Sequence, residues 1–188
     1  MNKKIILLIL LFLIPNKIIA ETFYLKDTDL KIDLEDNINW IIFTPDNLKE
    51  NKDLDKVKIK YKYIKSFLDR NDVYMVAVNN DIIMIVSREE TYNMDNLSKI
   101  KPKEVHKYAA KLTNDEYTIY TNDYKYILLN YKKDPYDVMA FHTIINSDEY
   151  IIKFKKRSKI TDDEKTEIYN IINNVSYEIK NEYKYTLW

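Results

Sequence analysis

Two histidines, a short run of aspartates and a few serines are the side chains whose types could do chemistry. His106 and His142 are the chain's two histidines. An imidazole serves as a general base or a metal ligand only with partners at fixed positions. No second ligand-type residue is read at a helical or hairpin spacing that would complete a metal site. Both are expected to be surface or half-buried histidines without a role. Asp27, Asp29, Asp33 and Asp36 form the best calcium candidate, because calcium takes several carboxylates from one tight loop. Here Leu30, Ile32 and Leu34 interleave as in a strand, and the glycine of a calcium loop is missing. Ser87, Ser147 and Ser158 lack the strained turn and adjacent base of a serine nucleophile. Asp162, Asp163 and Glu164 look like an acid pair, but they follow Thr161 in the pattern of a helix cap. Tyr117, Tyr120, Tyr124, Tyr126, Tyr131 and Tyr136 could form an aromatic platform; tyrosine also suits any half-buried strand, and that is the expectation here. No catalytic, metal or cofactor motif is strong enough to name a reaction.

Composition narrows the classes further. The 188 residues contain no glycine and no cysteine. Without glycine there is no phosphate-cradling loop, dinucleotide fingerprint or nucleophile elbow. Turns must use Asn and Asp, which tolerate left-handed backbone better than other residues. Without cysteine there are no disulfides, thiol nucleophiles or zinc–thiolate sites. The formal net charge is zero, which argues against nucleic acid as a main partner.

The amino terminus has the layout of a secretory signal peptide. Lys3 and Lys4 precede an apolar run from Ile5 to Ile14; Pro15 and Lys17 break it, and Ala20 stands before Glu21, the first acidic residue. That order is basic, apolar, then small at the cut. The run is too short to span roughly 30 Å of hydrocarbon. The expectation is a signal peptide over 1–20, one domain over 21–180 and a polar tail over 181–188. Export without cysteine excludes a lipoprotein, and no stable membrane span is expected after cleavage.

The elements that would position any site follow from periodicity. Segments 23–34 and 37–44 look like short strands that together form a hairpin. Leu54, Val57, Tyr61, Ile64 and Leu68 recur at helical steps and predict a helix over 53–70 capped by Asp53, its lysine-rich faces solvated. Segments 73–78 and 82–86, apolar on both faces around Asn79-Asn80-Asp81, predict a central hairpin covered on both sides. Segment 91–101 is read as a loop. Pro102 opens a second helix carrying Val105, Tyr108, Ala109 and Leu112. Four antiparallel strands follow, over 117–121, 124–131, 136–146 and 150–156. Thr161 and Glu164 form a capping box for a last helix with Ile168, Ile171, Ile172 and Val175 on one stripe.

This order of elements resembles the PsbP/Mog1-like domains of bacterial extracytoplasmic proteins. The last stretch carries most of the likeness: Phe141-His142-Thr143-Ile144-Ile145-Asn146, a turn, Tyr150-Ile151-Ile152-Lys153-Phe154, then the capped helix and Ile171-Ile172-Asn173-Asn174-Val175. The chain departs at the turn, where Asn146-Ser147-Asp148 stands in place of the usual Asn-Gly. The resemblance implies an α+β sandwich whose mostly antiparallel sheet, of about six strands, is covered by helices on both faces. It implies no shared activity, because such domains are accessory or binding proteins in unrelated systems. The expected role is an exported, non-catalytic binding or accessory protein at the cell envelope, its partner an unknown protein or envelope component. The rivals are an extracytoplasmic hydrolase of cell-wall or extracellular polymer, and an assembly partner of a membrane protein.

Overall fold

The structure is a computed structural model, and it describes residues 22–25, 28–34, 40–49, 51, 56–57, 59–70, 72–90 and 94–178. The expected signal peptide, the tail over 181–188, and Asp27, Asp36 and Asp53 lie outside the described residues.

Ten strands form two antiparallel sheets among the described residues. The large sheet has the order β3-β4-β5-β9-β8-β7-β6: β3 Ile41–Phe43, β4 Val73–Asn79, β5 Ile82–Glu90, β6 Tyr117–Thr121, β7 Lys125–Lys133, β8 Tyr136–Ile145 and β9 Asp148–Lys156. The small sheet is β1 Thr22–Tyr24, β2 Leu30–Asp33 and β10 Val175–Tyr177, with β2 in the middle. Three α-helices among the described residues pack on these sheets: α1 Tyr61–Leu68, α2 Pro102–Leu112 and α3 Asp162–Asn173.

Hairpins build the large sheet, and their turns solve the absence of glycine. Asn80 takes a φ of 53° between β4 and β5. Asn146 and Ser147, at 52° and 69°, join β8 to β9, with Ile145 opposite Asp148. Two successive left-handed residues in a two-residue loop match the right-handed twist of the strands they join. Asn146 is held by its backbone N–H, which donates to Asn96 Oδ1 at 2.7 Å, and by its side-chain amide, which donates to Asp29 at 2.9 Å.

The two faces of the large sheet are covered differently. On one face, α3 and the small sheet bury a continuous core that includes Phe141, Ile152, Phe154, Ile168, Ile172, Ile32 and Tyr177. The capping box starts α3: the Glu164 N–H donates to Thr161 Oγ1 at 3.3 Å, and the Thr161 N–H donates to Glu164 Oε2 at 2.8 Å. Polar clamps then lock the helix to the sheet. Lys156 Nζ reaches Glu164 at 2.5 Å, while Trp40 Nε1 and Asn79 Nδ2 each donate to Glu167 at 3.0 Å. On the opposite face there are two separate cores. α1 covers β3, β4 and β5 through Ile64, Leu68, Phe43, Val76 and Ile85. α2 covers β7 and β8 through Val105, Ala109, Ile127, Ala140 and Ile144.

Several expectations are corrected. The sheet has seven strands, with three more in a second sheet, where about six strands were expected. Segment 37–44 does not pair with segment 23–34: β3 pairs with β4, and β2 lies between β1 and β10. The α1 helix starts at Tyr61, behind an extended Lys60 with no side-chain cap. Residues 53–55 and 58 of the expected stretch lie outside the described residues. The 91–101 loop includes a 3-10 turn at Leu97–Lys99.

Thr161→Ala removes the acceptor for one orphan N–H of α3. It is expected to lower unfolding free energy by about 1 kcal/mol, measured by urea denaturation with an unchanged slope.

Candidate functional site

Strand β9 runs down the middle of the large sheet, between β5 and β8. Alternate side chains of a strand face opposite ways. Tyr150, Ile152 and Phe154 point into the continuous α3 core and are no more than 1% exposed. Glu149, Ile151, Lys153 and Lys155 point the other way, into the interval between the α1 core and the α2 core. The register sets their neighbours. Ser87 and His142 flank Ile151, Ile85 and Ala140 flank Lys153, and Ile83 and Val138 flank Lys155. The result is a polar strip along the sheet midline, bordered by apolar residues on both sides.

The end of the strip nearest the β8–β9 turn is acidic. Glu89 and Glu149 stand directly opposite one another. His142 Nδ1 donates to Glu149 Oε1 at 2.7 Å, and both side chains are buried. The Tyr108 hydroxyl comes down from α2, fully buried and without a hydrogen-bond partner among the described residues. Burial, then the nearby Glu149 carboxylate, pushes its phenol well above the ordinary range.

The other end is basic. Lys153 and Lys155 are half-buried on a central strand, and neither is in an ion pair among the described residues. Burial depresses the Lys153 ammonium below its ordinary value; Lys155, Arg70 and Lys133 add to the shift, and Glu89 opposes it. Lys155 is depressed by burial and by Lys133. The Lys155 ammonium sits 4.4 Å from the Tyr136 ring centre and 5.5 Å from that of Phe67, so aromatic faces supply part of the lost solvation. Lys153 has no such contact. Arg70 is held by Asp72 at 2.6 Å; Asp72 and Glu89 also act on Lys153, but with Lys133 and Lys155 beside it the cations at this end outnumber the carboxylates.

The residues singled out in the sequence fall in separate places. His106 lies exposed on α2, with its ring Nδ1 against the Tyr117 hydroxyl. His142 is in the strip, buried and hydrogen-bonded to Glu149. Asp29 precedes β2, and Asp33 ends it. Four residues of extended chain separate them by roughly 13 Å, too far to share one cation. Ser87 is buried on the strip face, but Ile151 lies between it and His142, so two inter-strand spacings hold them roughly 10 Å apart. Ser147 occupies the β8–β9 turn, and Ser158 is exposed beyond β9. Asp162 and Glu164 do cap and ion-pair work on α3. The tyrosines serve packing: Tyr126 is fully buried, and Tyr120 stacks at 5.1 Å on Tyr169.

A concavity of 340 Å³ lies beside α3 and is lined by residues that include Asn130, Asp137, Met139, Lys159, Lys165 and Tyr169. Its charges are largely matched internally. Asp137 accepts the Ile160 N–H at 3.0 Å, and Lys165 pairs with Asp162 at 2.8 Å. The β9 strip is therefore the stronger candidate.

Sequence reasoning missed Glu149, Lys153 and Lys155. The signal was present: lysines two apart in an otherwise apolar strand must share a face.

Lys153→Met should raise unfolding free energy by about 1 kcal/mol at neutral pH, because it removes a poorly solvated charge. A lysine depressed in the folded state binds fewer protons there than in the unfolded chain. Native stability therefore rises as pH climbs from the folded value toward 10.5. The advantage of the Met variant should shrink over that window, as measured by thermal unfolding across pH.

No protein-family model matches the chain, and no curated protein matches it in sequence. No helix among the described residues is long and apolar enough to cross a membrane. The fold does match a solved structure, the solution structure of cyanobacterial PsbP (CyanoP) from Synechocystis. The TM-score is 0.51 and the sequence identity 11%, over 85% of this chain and 92% of that one. Identity that low carries fold and nothing further. Of the PsbP/Mog1-like resemblance, the PsbP-like part is what this match supports: the chain has a PsbP-like α+β fold.

Proposed function

We propose that the chain is an exported, non-catalytic binding or accessory protein that meets its ligand or partner at the β9 strip. One observation carries the site: Lys153 and Lys155, half-buried and in no ion pair among the described residues, lie on the midline strand between the α1 core and the α2 core. A charge kept poorly solvated on a central strand costs stability, and such local inconsistencies concentrate at functional positions. The PsbP-like architecture supports an accessory role by fold alone. Export rests on the basic, apolar and small-residue order of residues 1–20.

A photo-crosslinking phenylalanine analogue at Tyr136, beside Lys155, tests the surface in the native host. The same analogue at Tyr24, which is 76% exposed on the small sheet, is the control. Adducts from position 136 and not from 24 are expected. Equal or absent adducts would remove the strip as the binding face. An adduct to an integral membrane protein would specify an assembly partner. Mass analysis of the non-adducted protein should show a chain beginning at Glu21 in an extracytoplasmic fraction. An intact Met1 terminus inside the cell would end the export claim.

One observation favours a second reading, a hydrolase of cell-wall or extracellular polymer: the buried His142–Glu149 hydrogen bond, an arrangement that can orient a general base. Release of soluble fragments by the purified protein, abolished in His142→Gln with the fold retained, would establish it. Release equal to the buffer blank would dismiss it.

A further inference from the structure

We propose that Lys153 and Lys155, assisted by Lys133, form a binding site for a multivalent oxyanion. The proposal rests on the assignment of the β9 strip as the ligand-facing surface and names the chemistry that surface takes.

Three observations place the site. First, the two lysines leave the same side of one strand, with Cα atoms roughly 7 Å apart. Their four-carbon stems allow both ammonium groups to converge on one anion or to hold two linked anionic groups. Second, the walls are apolar or aromatic. Ile83, Ile85, Ala140 and Val138 flank the lysines, and Tyr136 and Phe67 lie under the Lys155 ammonium. An anion there meets fewer competing waters than at an open surface, and its attraction to the ammonium groups is correspondingly stronger. Third, the local charge is unbalanced. The charged groups facing Lys153 are Lys155, Arg70, Lys133, Glu89 and Asp72, so cations outnumber carboxylates around it. Arg70 is occupied by Asp72, and Glu89 lies toward the acidic end of the strip. An oxyanion would supply counter-charge to the two half-buried ammonium groups, whereas a cation or neutral ligand would leave their burial uncompensated. Lysine is a common phosphate binder, acting as a point charge without the fixed fork of arginine. Phosphoryl and carboxylate groups are the two sources of this chemistry, and the experiment separates them.

The test is calorimetric titration of the purified full-length protein at low ionic strength with pyrophosphate, and in parallel with succinate. Saturable binding of at least one is expected, weakening as salt is added. Lys153→Met and Lys155→Met should each lower affinity about tenfold or more, while Lys165→Met, on α3 and away from the strip, should leave it unchanged. Tighter pyrophosphate binding assigns a phosphoryl ligand, and tighter succinate binding a dicarboxylate. Either outcome supports the site. Thermal unfolding of Lys153→Met run in parallel, with a midpoint at or above that of the native chain, separates a loss of binding from unfolding. Absence of saturable binding of both anions overturns the proposal, as does equal weakening by Lys165→Met. The two claims fail separately. Crosslinks from position 136 with no anion binding would keep the face and remove the anion. Anion binding with no such crosslinks would keep the anion site and remove the partner face.

Discussion

A seven-stranded sheet is wider than two helices can cover. Neighbouring strands lie about 4.8 Å apart, so six spacings span roughly 29 Å, while a helix with its side chains is about 10 Å across. On the α3 face the mismatch is filled by the three-stranded sheet, and one continuous core results. On the other face α1 sits over β3–β5 and α2 over β7–β8. The strand left between them is β9. The polar strip is thus a consequence of sheet width and helix count, and the identities of Glu149, Lys153 and Lys155 determine what that strip can attract.

The two faces of β9 divide the labour between stability and binding. Ile152 and Phe154 anchor the large core, and Lys156, on the same face, ties β9 to the capped end of α3 through Glu164. That face fixes the strand rigidly. The opposite face then holds Lys153 and Lys155 at set positions on a scaffold that does not move with them, which favours preorganised binding over binding by a mobile loop. The His142–Glu149 pair closes the acidic end of the strip by giving a buried carboxylate a hydrogen-bond donor. A buried carboxylate of that kind is costly without a hydrogen-bond donor.

Local chemistry was legible in the sequence, and nonlocal pairing was not. The α3 cap at Thr161–Glu164, the Pro102 start of α2 and the β4–β5 hairpin each follow from residues within a few positions of one another, and each stands where periodicity placed it. The partners of β2 and β3 did not follow. Segments 23–34 and 37–44 are close in the chain, yet β10, more than 140 residues along, takes the place beside β2. Hydrophobic alternation marks a strand but not its neighbour. The site was partly readable in hindsight. A two-residue loop at Asn146-Ser147 forces Ile144 opposite Glu149, and that places His142 and Glu149 on one face as a diagonal pair. Lys153 and Lys155 share their face by the same rule. What the sequence could not convey is that β9 is the strand between the α1 core and the α2 core, because that depends on the order of all seven strands.

The protonation of Lys153 tests this account most directly. Labelling the lysine side chains with carbon-13 at Cε and following the resonance of Lys153 by NMR through a pH titration, with no added multivalent anion, reports its environment. A half-buried amine without a counter-charge titrates below the 10.5 of an ordinary lysine. Titration at or above that value would mean that the amine is fully solvated or already paired, and the strip would lose the unbalanced charge on which its proposed role depends.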